Sequence, residues 1–153
     1  MKKTFSFTRW LPHDADHLFA IVSDVDEYHR FVPLCEEARV WDVTIDGPIK
    51  RFRAELTVAY RKMNIRESFI SDVEADAERR LVIARATEGA VKELENRWLM
   101  RPRDGGTDVV FSLKFKMRSR LLQLAVNAVL DRAAAKVLDA FERRAAELAP
   151  KTA

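Results

Sequence analysis

Between Ser119 and Leu148 the chain runs for thirty residues without a glycine or a proline, and alanine recurs throughout. Such a stretch predicts one helix, roughly 45 Å long at 1.5 Å per residue. Leu122, Val126, Val129, Ala133, Val137, Ala140 and Phe141 fall on a single stripe of it. No other segment rivals that length, so the rest of the chain must fold against it.

What precedes the helix is written mostly in period two. "FRAELTVAY" puts Phe52, Ala54, Leu56, Val58 and Tyr60 on one face and Arg51, Arg53, Glu55 and Thr57 on the other. That alternation marks a strand wet on one side. "ARVWDVTIDG", "NIRESFISDVEAD", "RRLVIARAT", "KELENRWLM" and "TDVVFSLKFKM" continue the series. Asp46-Gly47-Pro48 and Asp104-Gly105-Gly106 read as turns, without the spacing of phosphate loops.

Near the start, "KTFSFTRW" predicts a strand that Pro12 ends. Asp14 is placed to cap a helix carrying Ala15, Leu18, Phe19 and Val22. A second short helix over about residues 26–32, with Asp26 as its cap, would place Tyr28, Phe31 and Val32 together before Pro33. The order is strand, two short helices, about six strands and a long helix. At 153 residues this makes one domain, 1–153, with an ordered core over 3–148.

A sheet with one apolar face needs a cover, and the last helix is the available one. Its alanines (Ala125, Ala128, Ala133, Ala134 and Ala140) would face large strand aromatics. Two outcomes follow from that pairing, an interlocked core or a cavity. Leu121, Leu122, Leu124, Val126, Val129 and Leu130 make the first turns apolar on more than one side, which favours a cavity.

Charge excludes some classes. The net value of +3 gives no argument for DNA. Residues 14–46 carry nine acids against Arg30 and Arg39, while residues 114–144 carry eight bases against three acids. The basic stretch is either a solvated face or a contact for anionic lipid or RNA. No window reaches the roughly 18 apolar residues of a spanning helix. Arg9 interrupts the start too early for a secretory leader, and Cys35, the lone cysteine, suits a reducing compartment.

No catalytic set emerges. His13 and His17 stand four apart, but no carboxylate or cysteine pattern completes a metal site, and both are expected in solvent with His29. Cys35 has no base beside it and reads as a half-buried structural thiol. Asn96, between Leu94 and Trp98 on an apolar face, must bond backbone, buried water or a ligand carbonyl.

The segments "DVDEYHRFVPLCEEARV", "LTVAYRKMNIRESFISDV" and "ATEGAVKELENRWLMRP", followed by "GTDVVFSLKFKMRSRLLQLAVNAVLDRAAAKVLDAFERRA", resemble one known family. It is the coenzyme Q-binding START-domain family of the polyketide cyclase/dehydrase-like superfamily, which includes bacterial ribosome-association toxin relatives. The resemblance covers about residues 3–145 and rests on the combination of D-V-x-x-Y, F-V-P-x-C, R-E-S-F, L-E-N-x-W and R-S-x-L-L. His29 departs from a usual proline, and "GAVK" from a glycine-proline-aromatic-lysine.

The resemblance implies an α+β helix-grip fold of the START/Bet v 1-like type, a curved antiparallel sheet wrapped round the long C-terminal helix. It implies ubiquinone or a similar isoprenoid lipid as bound ligand, no metal or covalent cofactor, and a carrier or chaperone supporting respiratory electron transport, not an enzyme. The expected place is the bacterial cytoplasm, peripheral to the inner membrane and in transient contact with its surface. The alternatives are a toxin-like module that binds a ribosomal subunit and blocks subunit association, or a small cyclase using Glu67.

On this reading Leu56, Val58, Tyr60 and Phe69 line the cavity, joined by Asn96 and Trp98 and by Phe111, Leu113 and Phe115. Leu122, Val126, Val129 and Ala133 face them from the helix. Asn96 or Tyr60 would bond a quinone carbonyl. Tyr28, Phe31, Val32, Leu34, Leu121 and Leu124 would form the mouth, with Arg118 and Arg120 on lipid headgroups.

Overall fold

The computed structural model describes residues 2–149; Met1 and residues 150–153 of the expected domain lie outside the described residues. Seven strands form one antiparallel sheet: β1 (Lys3–Leu11), β2 (Cys35–Asp46), β3 (Ile49–Tyr60), β4 (Ile65–Asp76), β5 (Leu81–Gly89), β6 (Val91–Arg103) and β7 (Gly106–Met117). Their order across the sheet is β1-β7-β6-β5-β4-β3-β2. Consecutive strands β1 and β2 therefore sit at opposite edges. The segment joining them holds helix α1 (Ala15–Ser23) and a 3-10 helix over Val25–Arg30.

Local chemistry sets the element ends as the sequence predicts. Asp14 caps α1, its Oδ2 accepting from the backbone N–H of Asp16 at 3.0 Å and His17 at 3.2 Å. Between β6 and β7, Asp104 and Gly105 both take positive φ, 48° and 77°, the geometry of a two-residue hairpin turn. Helix α2 (Arg120–Leu148) begins where Ser119 Oγ accepts from Leu122 N at 3.1 Å.

The 3-10 helix corrects the expectation for residues 26–32. It starts at Val25 and ends at Arg30, and Asp26 lies inside its first turn instead of capping it. Leu34, just beyond, holds φ at 73° while its carbonyl accepts from Ala59 N at 2.8 Å.

The outer sheet face is charged, as the alternation requires. Arg53 reaches Asp72 at 3.0 Å and Glu88 at 3.3 Å, Arg51 reaches Glu74 at 2.8 Å, and Arg85 reaches Glu95 at 3.1 Å. Such exposed pairs contribute about 0.2–1 kcal/mol each and serve mainly to fix strand register.

The inner face divides into two zones along α2. Under its C-terminal half lies a packed core of Leu18, Val22, Trp98, Met100, Leu138, Phe141 and Ala145, closed at one end by α1. Under its N-terminal half lies a hollow. Core and cavity both exist along one helix and meet at Trp98 and Phe141, which belong to both.

An apolar cavity under the long helix

The cavity has a volume of about 370 Å³, near the lower end of the roughly 300–1,000 Å³ found for small-molecule sites. All of Leu56, Val58, Tyr60, Phe69, Asn96, Trp98, Phe111, Leu113 and Phe115 line it from the sheet. Leu122, Val126, Val129 and Ala133 line it from α2. The pleat explains the set: inward residues of β3 and β4 pair as Tyr60–Ile65, Val58–Glu67, Leu56–Phe69 and Ala54–Ser71.

The lining is almost wholly hydrocarbon. Its polar side chains are Tyr28, Cys35, Tyr60, Glu67, Ser71 and Asn96. Burial pushes the Cys35 thiol up to about 11, so it stays protonated at neutral pH. Its Sγ lies 3.5 Å from the Glu37 carbonyl. Burial likewise raises the Tyr28 phenol, whose O–H donates to the Val22 carbonyl. Glu67 is exposed at the cavity's edge, with no ion-pair partner among the described residues.

Two expected roles are corrected, and for Asn96 the structure selects protein partners, one of the alternatives its strand position leaves open. Asn96 is engaged within the protein: its Nδ2 donates to the Ser112 carbonyl at 3.0 Å, and its Oδ1 accepts from Trp98 Nε1 at 2.9 Å. Arg118 does not project toward headgroups, because its Nε donates to the Gly89 carbonyl at 2.9 Å and an Nη to that of Thr87 at 2.6 Å. It clasps the end of β5.

The second correction concerns the mouth. Tyr28 and Phe31 stack edge-on against Phe141, with centroids at 5.4 and 5.1 Å. Phe141 is twenty residues beyond Leu121, roughly 30 Å along the helix axis. Phe31 therefore belongs to the packed end, and Tyr28 lines the cavity where it meets that end, both far from Leu121 and Leu124. Val32 and Leu34 line the cavity wall. The exposed apolar side chains near the lining are instead Leu121, 79% exposed, and Leu124, 58% exposed, on either side of Leu122, and Met63, 42% exposed, between the lining residues Tyr60 and Ile65. Arg120 stands exposed beside Leu121, as expected.

Of the three histidines expected in solvent, His13 and His17 are half-buried. His29 is exposed, whereas His17 holds Nε2 2.9 Å from the Ala145 carbonyl. Among the described residues no group of three or more candidate ligands could hold a metal, and no helix is long and apolar enough to cross a membrane.

Several lining residues escaped the sequence reading, among them Ala54, Ser71, Ala84 and Leu130. The signal for Ser71 was available, since strict alternation from Phe69 puts it on the inner face. Gln123 also escaped it: buried in the first turn of α2, it accepts from Met117 N at 2.7 Å and ties the helix start to β7.

A curved antiparallel sheet gripping one long helix, with an apolar hollow between them, defines the helix-grip class, the START/Bet v 1-like fold. Within that class the chain belongs to the family described as polyketide cyclase/dehydrase and lipid transport, which residues 11–142 match. It is similar to the ribosome association toxin RatA of Rickettsia prowazekii (strain Madrid E), 29% identical over 95% of this chain and 97% of that one. It is also similar to the mitochondrial coenzyme Q-binding protein coq10 of Schizosaccharomyces pombe, 28% identical over 90% of this chain and 84% of that one. The solution structure of the 18 kDa protein CC1736 from Caulobacter crescentus superposes with a TM-score of 0.82 at 35% identity, covering 95% and 97% of the two chains.

Proposed function

We propose that this protein binds a polyprenyl quinone or a similar isoprenoid lipid in the cavity under α2, as a carrier or chaperone for respiratory electron transport. The observation that carries the reading is the lining, a hollow of about 370 Å³ walled by hydrocarbon side chains. An isoprenoid tail is nearly pure apolar area, and each 100 Å² buried contributes about 2.5 kcal/mol. The space suits a ring and a few isoprene units; a longer tail leaves past Leu121 and Leu124, where a membrane surface would meet it. Similarity to a protein named for coenzyme Q binding supports the same ligand class.

The test is organic extraction of the purified protein with mass spectrometry, alongside uptake of quinone from liposomes. Recovery or uptake of a prenyl quinone is the expected result. Repeated absence of both overturns the proposal.

A second reading has its own support. Relatives named ribosome association toxins match nearly the whole chain, and α2 presents Arg120, Arg132, Lys136 and Arg143 to solvent. Cosedimentation with ribosomal subunits that survives physiological salt would favour it, whereas binding lost on a modest salt increase would be mere electrostatics. The cyclase reading draws less support, since Glu67, its candidate acid, stands exposed at the cavity's edge.

A further inference from the structure

Among the described residues four polar side chains are buried: Thr57, Ser71, Thr107 and Gln123. Three have protein partners. Thr57 Oγ1 lies 2.8 Å from Ser68 Oγ, Thr107 Oγ1 donates to the His13 carbonyl at 2.7 Å, and Gln123 bonds Met117 and Asn127. The fourth, Ser71, is only 5% exposed, and its hydroxyl bonds no other group among the described residues. No buried side-chain oxygen is sealed off without a partner, so this hydroxyl opens onto the cavity that Ser71 lines.

Its surroundings form a recess. Ser71 pairs with Ala54 on β3 and Ala86 on β5, and the next inward residue, Val73, pairs with Ala84. Ala54 and Ala84 line the cavity beside the larger Leu56, Phe69 and Trp98. Small side chains thus lower the sheet surface around one unpaired hydroxyl. Along β4, Ser71 lies six residues, about 20 Å, from Ile65 at the strand's start beside the exposed Met63.

We infer that the cavity takes its ligand polar end first: a flat oxygen-bearing ring seats over Ala54 and Ala84, Ser71 donates to a ring oxygen, and the hydrocarbon tail trails toward Leu121 and Leu124. This rests on the lipid-binding reading above and adds the ligand's orientation and the residue that selects its head. The reverse orientation would put hydrocarbon against the hydroxyl and leave a buried donor unmet.

The test compares decyl-benzoquinone with decylbenzene, which has a ring and tail but no oxygens, on the full chain and on Ser71→Ala. The wild type should prefer the quinone, and Ser71→Ala should lose about three- to tenfold of that preference while binding decylbenzene unchanged. A preference that survives the substitution overturns this inference and leaves the lipid-binding reading standing. Failure of the wild type to bind either probe overturns both. A decyl-benzoquinone with a nitroxide at the tail end supplies a second readout on the unmodified protein. It should broaden NMR signals of Leu121 and Leu124 and spare Ser71; the opposite pattern overturns the proposed orientation.

Discussion

The indole of Trp98 donates its Nε1–H to the side-chain oxygen of Asn96, 2.9 Å away and two residues earlier on the same strand. The amide nitrogen goes to the Ser112 carbonyl on β7, so the Asn96 side chain joins one buried ring to the neighbouring strand. Asn96→Leu would leave the indole N–H and a strand carbonyl unmet, an expected loss of about 1–3 kcal/mol. Urea unfolding should show a lower midpoint with an unchanged slope. Quinone affinity of the folded variant should hold; a tenfold loss of affinity without loss of stability would return Asn96 to the role of ligand donor.

That Asn96 must find a partner is legible in the sequence, and a backbone carbonyl is one of the partners its position allows. Periodicity of two placed Leu56, Val58, Tyr60, Trp98 and Phe115 on the inner face, and the glycine-free run from Ser119 placed the covering helix. Those are local properties. Which end of that helix meets the 3-10 helix is a property of the crossover from β1 to β2 at opposite sheet edges, and composition carries no record of it. Sequence alone therefore places Tyr28 and Phe31 at the mouth, whereas they pack on Phe141. Arg118 failed for another reason. An arginine at a strand end reads as solvated until the carbonyls of Thr87 and Gly89 are seen turned toward it.

Arg118 and its neighbours should separate by experiment. Arg118→Ala removes two charge-assisted hydrogen bonds to backbone, and a stability loss of about 1–3 kcal/mol is expected. Leu121→Ser with Leu124→Ser touches side chains open to water, so stability should stay within about 0.5 kcal/mol. The double variant should instead slow transfer of quinone from liposomes severalfold. Equal stability losses in both variants would contradict this division.

The two zones under α2 predict opposite responses to added volume. Ala145 is 0% exposed in the packed end, so Ala145→Phe should cost at least about 1–3 kcal/mol through overpacking. Ala133 lines the hollow, so Ala133→Phe fills space that no side chain occupies. Thermal unfolding of Ala133→Phe should match or exceed the wild type, while its uptake of decylbenzene falls at least tenfold. A comparable destabilisation at both sites would mean that the cavity does not persist in solution.

Cys35 offers a chemical readout of the same space. Burial raises its thiol from 9.0 to about 11, so the folded protein holds the proton more tightly than the unfolded chain. Below pH 9 both states are protonated and the group leaves stability unchanged. As pH rises from 9 toward 11 the unfolded chain loses its proton first, and stability falls across that window. Alkylation needs the thiolate, so at pH 8 iodoacetamide should react roughly 100-fold more slowly with the folded protein than with the urea-unfolded chain. The folded rate should climb about tenfold per pH unit until near 11. Because Cys35 lines the cavity, saturating decylbenzene should slow the reaction further, as mass spectrometry of the adduct would record. Alkylation as fast in the folded protein as in urea would show that the thiol is not shielded, and a rate indifferent to decylbenzene would place the probe elsewhere.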